Sequence, residues 1–179
     1  MTRPKALFLD RDGVINVDHA YVFKPDNFEF IDGIFELCKV AKRHGYLIFV
    51  ITNQAGIGRG YYTEQEFLEL TDWMCQTFLR QDVDIAKVYY CPFHPDYGIG
   101  KYKMNTPNRK PGPGMLQQAK AEFQLDLASS ILVGDKETDI EAGIAAGVGC
   151  NLLYVAAGLA ETRATAIVKR LSDVTNFFG

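Results

Sequence analysis

The 179-residue chain has little that would tie it to an oxidising compartment, a membrane or a nucleic acid. Its four cysteines, Cys38, Cys75, Cys91 and Cys150, are scattered and contain no C-x-x-C pair. Neither a disulfide scaffold nor a paired-thiol redox centre is indicated, and three of them sit in apolar segments that suit a reduced, buried thiol in a reducing cytosol. No apolar run approaches the ~20 residues of a membrane span. Met1-Thr2-Arg3-Pro4 leads into the first apolar stretch without a secretory h-region. A cytoplasmic, soluble protein is expected. Positive charge is short as well: 19 Lys and Arg against 22 Asp and Glu give a net charge of −3, which argues against nucleic acid or an anionic membrane as the main partner. Any phosphate must therefore be held by a local basic site. Repeats, linkers and low-complexity segments are lacking, so residues 1–179 are expected to form a single domain. No surplus apolar helix face demands a partner, which predicts a monomer.

What is present is a series of short apolar runs alternating with amphipathic segments. Lys5 to Leu9 is too short for a helix and reads as a buried strand ending in Asp10-Arg11-Asp12-Gly13. Residues 14–30 mix apolar side chains with polar ones and Pro25, as in an irregular, partly extended flap. Ile34 to Ala41 has helical spacing and stops at His44-Gly45. Tyr46 to Thr52 is a near-continuous apolar run, the mark of a strand covered on both faces. Ala55 to Gly60 is glycine-rich but fits neither a dinucleotide nor a Walker A fingerprint, and a flexible loop is expected. Thr63-Glu64-Gln65-Glu66 is a capping box opening a helix that runs to about Arg80. Further strands are expected at 85–90, 130–133 and 150–155, with helices from near Pro113 and up to Gly147, and a last helical stretch before the C-terminus. Residues 91–111 lack apolar period, and a loop of that length inside a compact domain is usually functional.

Five strands alternating with helices predict an α/β fold, a doubly wound, mostly parallel sheet with helices on both faces and right-handed crossovers. Ligands bind such sheets beyond the strands' carboxyl ends. Polar residues gather there: Asp10 and Asp12 after the first strand, Thr52 and Asn53 after the second, Asp135 after the fourth, with Arg109-Lys110 in the long loop. Alone, the first stretch could be a strand followed by an Asp-Gly turn. Two carboxylates so close otherwise need a cation between them or a shared proton. Oxygen-only ligands from Asp10, Asp12 and Asp135 suit Mg²⁺ and phosphate substrates, whereas zinc would want nitrogen or sulfur. Thr52 and Lys110 can hold a phosphoryl group. One aspartate can act as nucleophile, forming an aspartyl-phosphate, and the other as general acid and base.

Asp10-Arg11-Asp12-Gly13-Val14-Ile15-Asn16 resembles the D-x-D-G-[TV]-[IL] motif of haloacid dehalogenase-type phosphatases. Thr52-Asn53, Lys110 and Gly134-Asp135-Lys136-Glu137-Thr138-Asp139 match that superfamily's remaining motifs in order and spacing. Within it, Asn16 to Val22, Asp26-Asn27-Phe28, Thr52 to Ile57, Tyr90-Cys91-Pro92 and Arg109-Lys110-Pro111 are similar to the heptose 1,7-bisphosphate 7-phosphatase family, which serves lipopolysaccharide precursor synthesis. The resemblance implies a Rossmann-like core without a large cap domain, the flap and the long loop shaping a pocket for a small sugar bisphosphate. It makes Asp10 the nucleophile and Asp12 the acid/base, with Mg²⁺ on the Asp10 carboxylate, the Asp12 backbone carbonyl and Asp135. Thr52 and Lys110 would stabilise the transferring phosphoryl group. Lys136 would lie beside the metal and substrate, and Asp18, His19, Tyr21, Asn53, Gln54 and Arg109 would contact the sugar or its second phosphate. Asp139 is expected to orient the site or cap its helix.

The chain departs from that family in one respect. Relatives carry a structural zinc in the long loop, bound by C-x-H and a later C-x-C; here Cys91-Pro92-Phe93-His94 and Thr106-Pro107-Asn108 stand in those places. Only Cys91 remains in position, so no zinc is expected, and packing by Tyr97, Tyr102 and Met104 is expected to hold the loop. Two alternatives stand beside this reading: a histidinol-phosphate phosphatase, which shares the motifs, and a non-catalytic phosphosugar-binding module, which would not need both Asp10 and Asp12.

Overall fold

The computed structural model describes residues 2–158 and 161–179. Six strands, β1 (Lys5–Leu9), β2 (Tyr46–Asn53), β3 (Ile85–Cys91), β4 (Ile131–Gly134), β5 (Cys150–Tyr154) and β6 (Ala166–Val168), form one sheet in the order β3-β2-β1-β4-β5-β6. All five pairings are parallel. The helices are α1 (Ile34–Arg43), α2 (Ala55–Gly58), α3 (Glu64–Leu79), α4 (Gly114–Phe123) and α5 (Glu137–Ala146). Short 3₁₀ turns lie at Pro25–Asn27, Gly100–Tyr102 and Leu171–Phe177.

The strand pleat divides the core in two. Leu7 and Leu9 of β1, Ile48 and Val50 of β2, and Ile131 and Val133 of β4 face α1, α3 and the C-terminal 3₁₀ turn. Their alternates Ala6 and Phe8, Phe49 and Ile51, and Leu132 face α4 and α5. Burial on both faces is why these runs are apolar without alternation. The capping box forms as expected: Thr63 Oγ1 accepts from the Glu66 N–H, and the Glu66 side chain takes the Thr63 N–H. Such a cap contributes about 1 kcal/mol to the start of α3.

Two expectations fail. Residues 55–60 are not a plain loop, because Ala55–Gly58 closes one helical turn. The expected last helix is replaced by β6 and a 3₁₀ turn, and its residues 159–160 lie outside the described residues. The free edge of β5 explains the change: Ala166, Ile167 and Val168 find a strand partner there, and Val155 N–H continues the ladder to Val168 O at 3.0 Å. Among the described residues no helix is long and apolar enough to cross a membrane.

The strand order reverses at β1, with β2 and β3 added on one side and β4 to β6 on the other. The crevice beyond the carboxyl ends of β1 and β4 is therefore the expected ligand position.

Candidate active site

Asp10 follows β1 directly, and its N–H still bonds Val133 O at 3.1 Å. The chain then doubles back: the N–H groups of Val14, Ile15 and Asn16 converge on Arg11 O at 3.2, 2.8 and 3.2 Å. Only glycine serves at position 13, where φ is +94° and a Cβ would stand 2.1 Å from Asp135 Oδ2. This turn sets the loop after β1 against Asp135, just past the end of the neighbouring strand β4.

Lys110 reaches into that junction from the long loop. Its side chain is 3% exposed, and its Nζ lies 2.9 Å from Asp10 Oδ1 and 2.6 Å from Asp139 Oδ1, and also donates to Ile51 O at 2.9 Å. Asn53 secures the lysine's backbone from β2: its Nδ2 donates to Lys110 O at 3.1 Å and its Oδ1 accepts from Lys110 N–H at 3.0 Å. Asp139 caps α5, its Oδ2 accepting the N–H groups of Asp135 and Lys136 at 3.1 Å each.

Carboxylate oxygens of Asp10, Asp135 and Asp139 lie within 4.8 Å of one another. Burial, then Asp139, pushes the Asp10 carboxyl well above the ordinary range despite Lys110. Burial and Asp139 raise Asp135 too. Burial alone would lower Lys110, but Asp10 and Asp139 overcome it and hold the ammonium charged. With all three carboxylates ionised, one buried ammonium would leave two negative charges, and Asp135 Oδ1 is buried without a hydrogen-bond partner among the described residues. An oxygen-only donor set with that deficit fits a hard divalent cation such as Mg²⁺.

Asp12 has a different environment. Arg11 donates to it through Nε at 3.2 Å and Nη2 at 2.9 Å, Asn16 Nδ2 at 3.0 Å and Gln54 Nε2 at 3.1 Å. Arg11 itself is buried, its Nη2 also donating to Val22 O of the flap at 2.7 Å.

A cavity of about 480 Å³ opens above these groups. Asp10, Asp12, Asp18, Tyr21, Asn53, Gln54, Arg109, Lys110 and Lys136 line it, as the sequence suggests. Lys136 Nζ faces Asp18 Oδ2 at 3.6 Å. At the flap tip Ala20 and Tyr21 are held at φ 58° and 55°, a conformation costly for residues with a Cβ. Thr52 lies beneath, 1% exposed, its hydroxyl accepting from Gln54 Nε2 at 2.8 Å. His19 is not brought in: it sits in a separate hollow with Asp26 and Glu29, 2.9 Å from Glu29. Asn53 and Gln54 line the cavity, but their amides are engaged within the protein, on Lys110 and on Asp12, Thr52 and Tyr62.

Arg59, Tyr62 and His94 also line the cavity and were not singled out from sequence. Arg59 stands over the Tyr97 ring at 4.2 Å, with its buried Nε unpartnered among the described residues. His94 Nδ1 accepts the N–H groups of Asp96 and Tyr97 at 3.1 Å, which places its proton on Nε2. Burial, Arg109 and Arg59 keep His94 neutral by lowering its pKa. An arginine in a glycine-rich turn after a strand was the one available signal for Arg59.

The long loop is tied partly as expected. Tyr102 packs beside Phe93 and donates to Glu64 at 2.6 Å, and Tyr97 packs against Arg59 and His94, but Met104 is 49% exposed. Main-chain bonds contribute as well, Ile99 N–H to Gly58 O at 2.8 Å and His94 N–H to Tyr102 O at 3.1 Å. Gly98 permits the close crossing, since a Cβ there would stand 2.1 Å from Tyr102 O.

A doubly wound parallel sheet with this aspartate pair, loop lysine and acidic junction at its switch point defines a haloacid dehalogenase-type hydrolase fold. Residues 107–174 match a HAD-hydrolase-like family model. A D-glycero-alpha-D-manno-heptose-1,7-bisphosphate 7-phosphatase of Burkholderia mallei is 54% identical over 175 residues, covering 97% of this chain and 93% of that protein. The corresponding beta-named enzyme of Haemophilus influenzae is 50% identical over 149 residues, 83% of this chain and 80% of that one. The structure of D,D-heptose 1,7-bisphosphate phosphatase from B. bronchiseptica, complexed with magnesium and phosphate, superposes with a TM-score of 0.81 at 26% identity, covering 96% of each chain. The chain belongs to the heptose-1,7-bisphosphate 7-phosphatase family of HAD hydrolases.

Proposed function

We propose that the protein removes the C7 phosphate of D-glycero-D-manno-heptose 1,7-bisphosphate through an aspartyl-phosphate on Asp10, within a single domain whose flap (14–30) and loop (91–111) shape the pocket. The observation that carries this reading is the pairing of two basic groups around one cavity. Lys110 lies against Asp10, and Arg59 and Arg109 form a second group beside the neutral His94. A substrate with one phosphate needs only the first; a small bisphosphate uses both.

Asp10 attacks phosphorus as the bond to the C7 oxygen breaks, and Asp12 gives that oxygen its proton. Lys110 and Thr52 hold the phosphoryl oxygens as negative charge redistributes. Asp12, now ionised, takes a proton from water, which attacks the aspartyl-phosphate and frees Asp10. Asp10, Asp135 and the Asp12 carbonyl would hold Mg²⁺, which when bound supplies positive charge to the phosphoryl oxygens. Asp18, Tyr21, Arg109 and Lys136 contact the sugar or its second phosphate. His19 has no part in this reading. The product would feed lipopolysaccharide heptose synthesis in the cytoplasm, with the protein acting as a monomer.

The test is phosphate release, with and without Mg²⁺, from heptose 1,7-bisphosphate and from histidinol phosphate. Mg²⁺-dependent preference for the bisphosphate is expected; preference for histidinol phosphate overturns the assignment.

A further inference from the structure

We infer that Gln54 is a positioning residue for Asp12, with Tyr62 fixing Gln54 in turn, and not a contact for the sugar; this rests on the proposed role of Asp12 as acid and base. Gln54 is 2% exposed, and every polar atom of its amide is engaged inside the protein. Its Nε2 donates to Asp12 Oδ2 at 3.1 Å and to Thr52 Oγ1 at 2.8 Å, and its Oε1 accepts from the Tyr62 hydroxyl. The orientation is forced: turned over, the amide would set its oxygen against the Asp12 carboxylate and its NH₂ against a hydroxyl that needs an acceptor.

Tyr62 is equally fixed. It is 5% exposed, and its ring stacks on Phe23 of the flap at 5.2 Å and 8°. A Cβ at residue 56 would lie 2.3 Å from that ring, so glycine there lets α2 approach it. Burial pushes the phenol far above its ordinary range, which keeps it a neutral donor.

Gln54 thus spans the gap between the residue that moves the proton and the residue that holds the phosphoryl oxygens. In the step where the Asp10–phosphorus bond forms and the bond to the leaving oxygen breaks, the proton must pass from Asp12 to that oxygen. A carboxyl free to turn away would leave an alkoxide to depart unprotonated. For an alkoxide that matters greatly, whereas p-nitrophenolate is stable without a proton. The loss on removing Gln54 should therefore depend on the leaving group.

The experiment compares Gln54→Leu and Tyr62→Phe with wild type on heptose 1,7-bisphosphate and p-nitrophenyl phosphate, in Mg²⁺. For Gln54→Leu, kcat/KM on the sugar bisphosphate, which reports formation of the aspartyl-phosphate and not the hydrolysis step common to both substrates, should fall about 10- to 100-fold, the worth of a hydrogen bond to a charged group. The fall on p-nitrophenyl phosphate should be at least about tenfold smaller and report the weakened hold on Thr52. KM for the bisphosphate should stay within about threefold, as for a residue that does not touch the sugar. Tyr62→Phe should show the same selectivity, reduced in size, and decides the matter if Gln54→Leu does not fold. Equal losses on both substrates, or a loss confined to KM for the bisphosphate, overturn the inference. If wild type leaves heptose bisphosphate intact, the substrate assignment fails by itself, and the same comparison run with ethyl phosphate still decides the role of Gln54.

Discussion

Replacing Asp10 by asparagine should stabilise the metal-free protein while abolishing turnover. Asp10 is 7% exposed, and its carboxylate shares a region with oxygens of Asp135 and Asp139 no more than 4.8 Å away. At an effective dielectric near 20, each such contact repels by about 3.5 kcal/mol, roughly 7 together. Lys110 at 2.9 Å returns about 6 on the same scale, and the desolvation of a buried carboxylate adds several kcal/mol on the unfavourable side. Asparagine keeps the shape and an acceptor for Lys110 while removing the charge. In EDTA, Asp10→Asn should therefore gain about 1 kcal/mol or more, at least roughly 2 °C in melting temperature for a chain of this size. Saturating Mg²⁺ should reverse the order, because only wild type keeps all its ligands and gains binding free energy. The pH dependence has a definite sign. Burial and Asp139 raise the native Asp10 carboxyl above its unfolded value, so the native state binds more protons across that window, and metal-free stability falls as pH rises through it. The variant should flatten this slope. Thermal unfolding from pH 5 to 8, in EDTA and in Mg²⁺, measures all of it. A variant melting below wild type in EDTA throughout, or retaining appreciable phosphate release, refutes the reasoning.

Lys110→Met should act in the opposite direction, losing about 3–5 kcal/mol in EDTA because it leaves the buried carboxylates of Asp10 and Asp139 without their cation; thermal unfolding checks it. Alkaline conditions should weaken the fold. Burial pushes the Cys38 thiol up to about 12 and Cys75 up to about 11, and raises Tyr90 to about 12 by burial and Glu64. These groups stay protonated in the native state while the unfolded chain releases its protons first, so their contribution is complete below the unfolded values and is lost as pH rises from about 9 toward about 12. Urea unfolding at pH 7, 9 and 10.5 should show midpoints that decrease in that order. The long loop should need no zinc: elemental analysis should find less than stoichiometric zinc, and a zinc chelator should leave the melting temperature in place. Tyr102→Phe, losing the bond to Glu64, should instead cost about 1 kcal/mol.

The sheet and its chemistry were legible because they depend on local pattern. Runs such as Tyr46 to Thr52 and Ile131 to Val133 announce strands buried on both faces, and polar residues at their ends announce an edge. What sequence left open depends on where side chains turn. The family resemblance implies Asn53 and Gln54 as ligand contacts, yet their amides close on Lys110 and Asp12. His19 shares the flap with Asp18, but pairs with Glu29 on the other side. Arg59 stood in a segment read as a plain loop, and nothing in periodicity says that α2 carries it to the cavity. Ala166 to Val168 became a strand only because β5 had an edge to complete, a fact of tertiary structure.

The two aspartates of the opening motif owe their difference to the turn between them. Asp10 keeps its N–H in the ladder with β4 and faces two carboxylates, so its oxygens meet few donors: the Arg11 N–H at 2.8 Å and Lys110. That leaves lone pairs open, as a nucleophile requires. Asp12, two residues on, lies past the sheet where Arg11 turns inward, and its carboxylate takes four hydrogen bonds from Arg11, Asn16 and Gln54. Arg11 is the pivot. Its guanidinium is buried near the Phe28 and Phe67 rings, holds Asp12 with one edge, and reaches Val22 O in the flap. The same side chain therefore ties the position of the proposed acid to the position of the flap that covers the cavity. Tyr62 adds a second tie through Gln54 and its stack on Phe23. Asp12 cannot turn without straining contacts to the flap, whereas Asp10, anchored in the sheet, is independent of it.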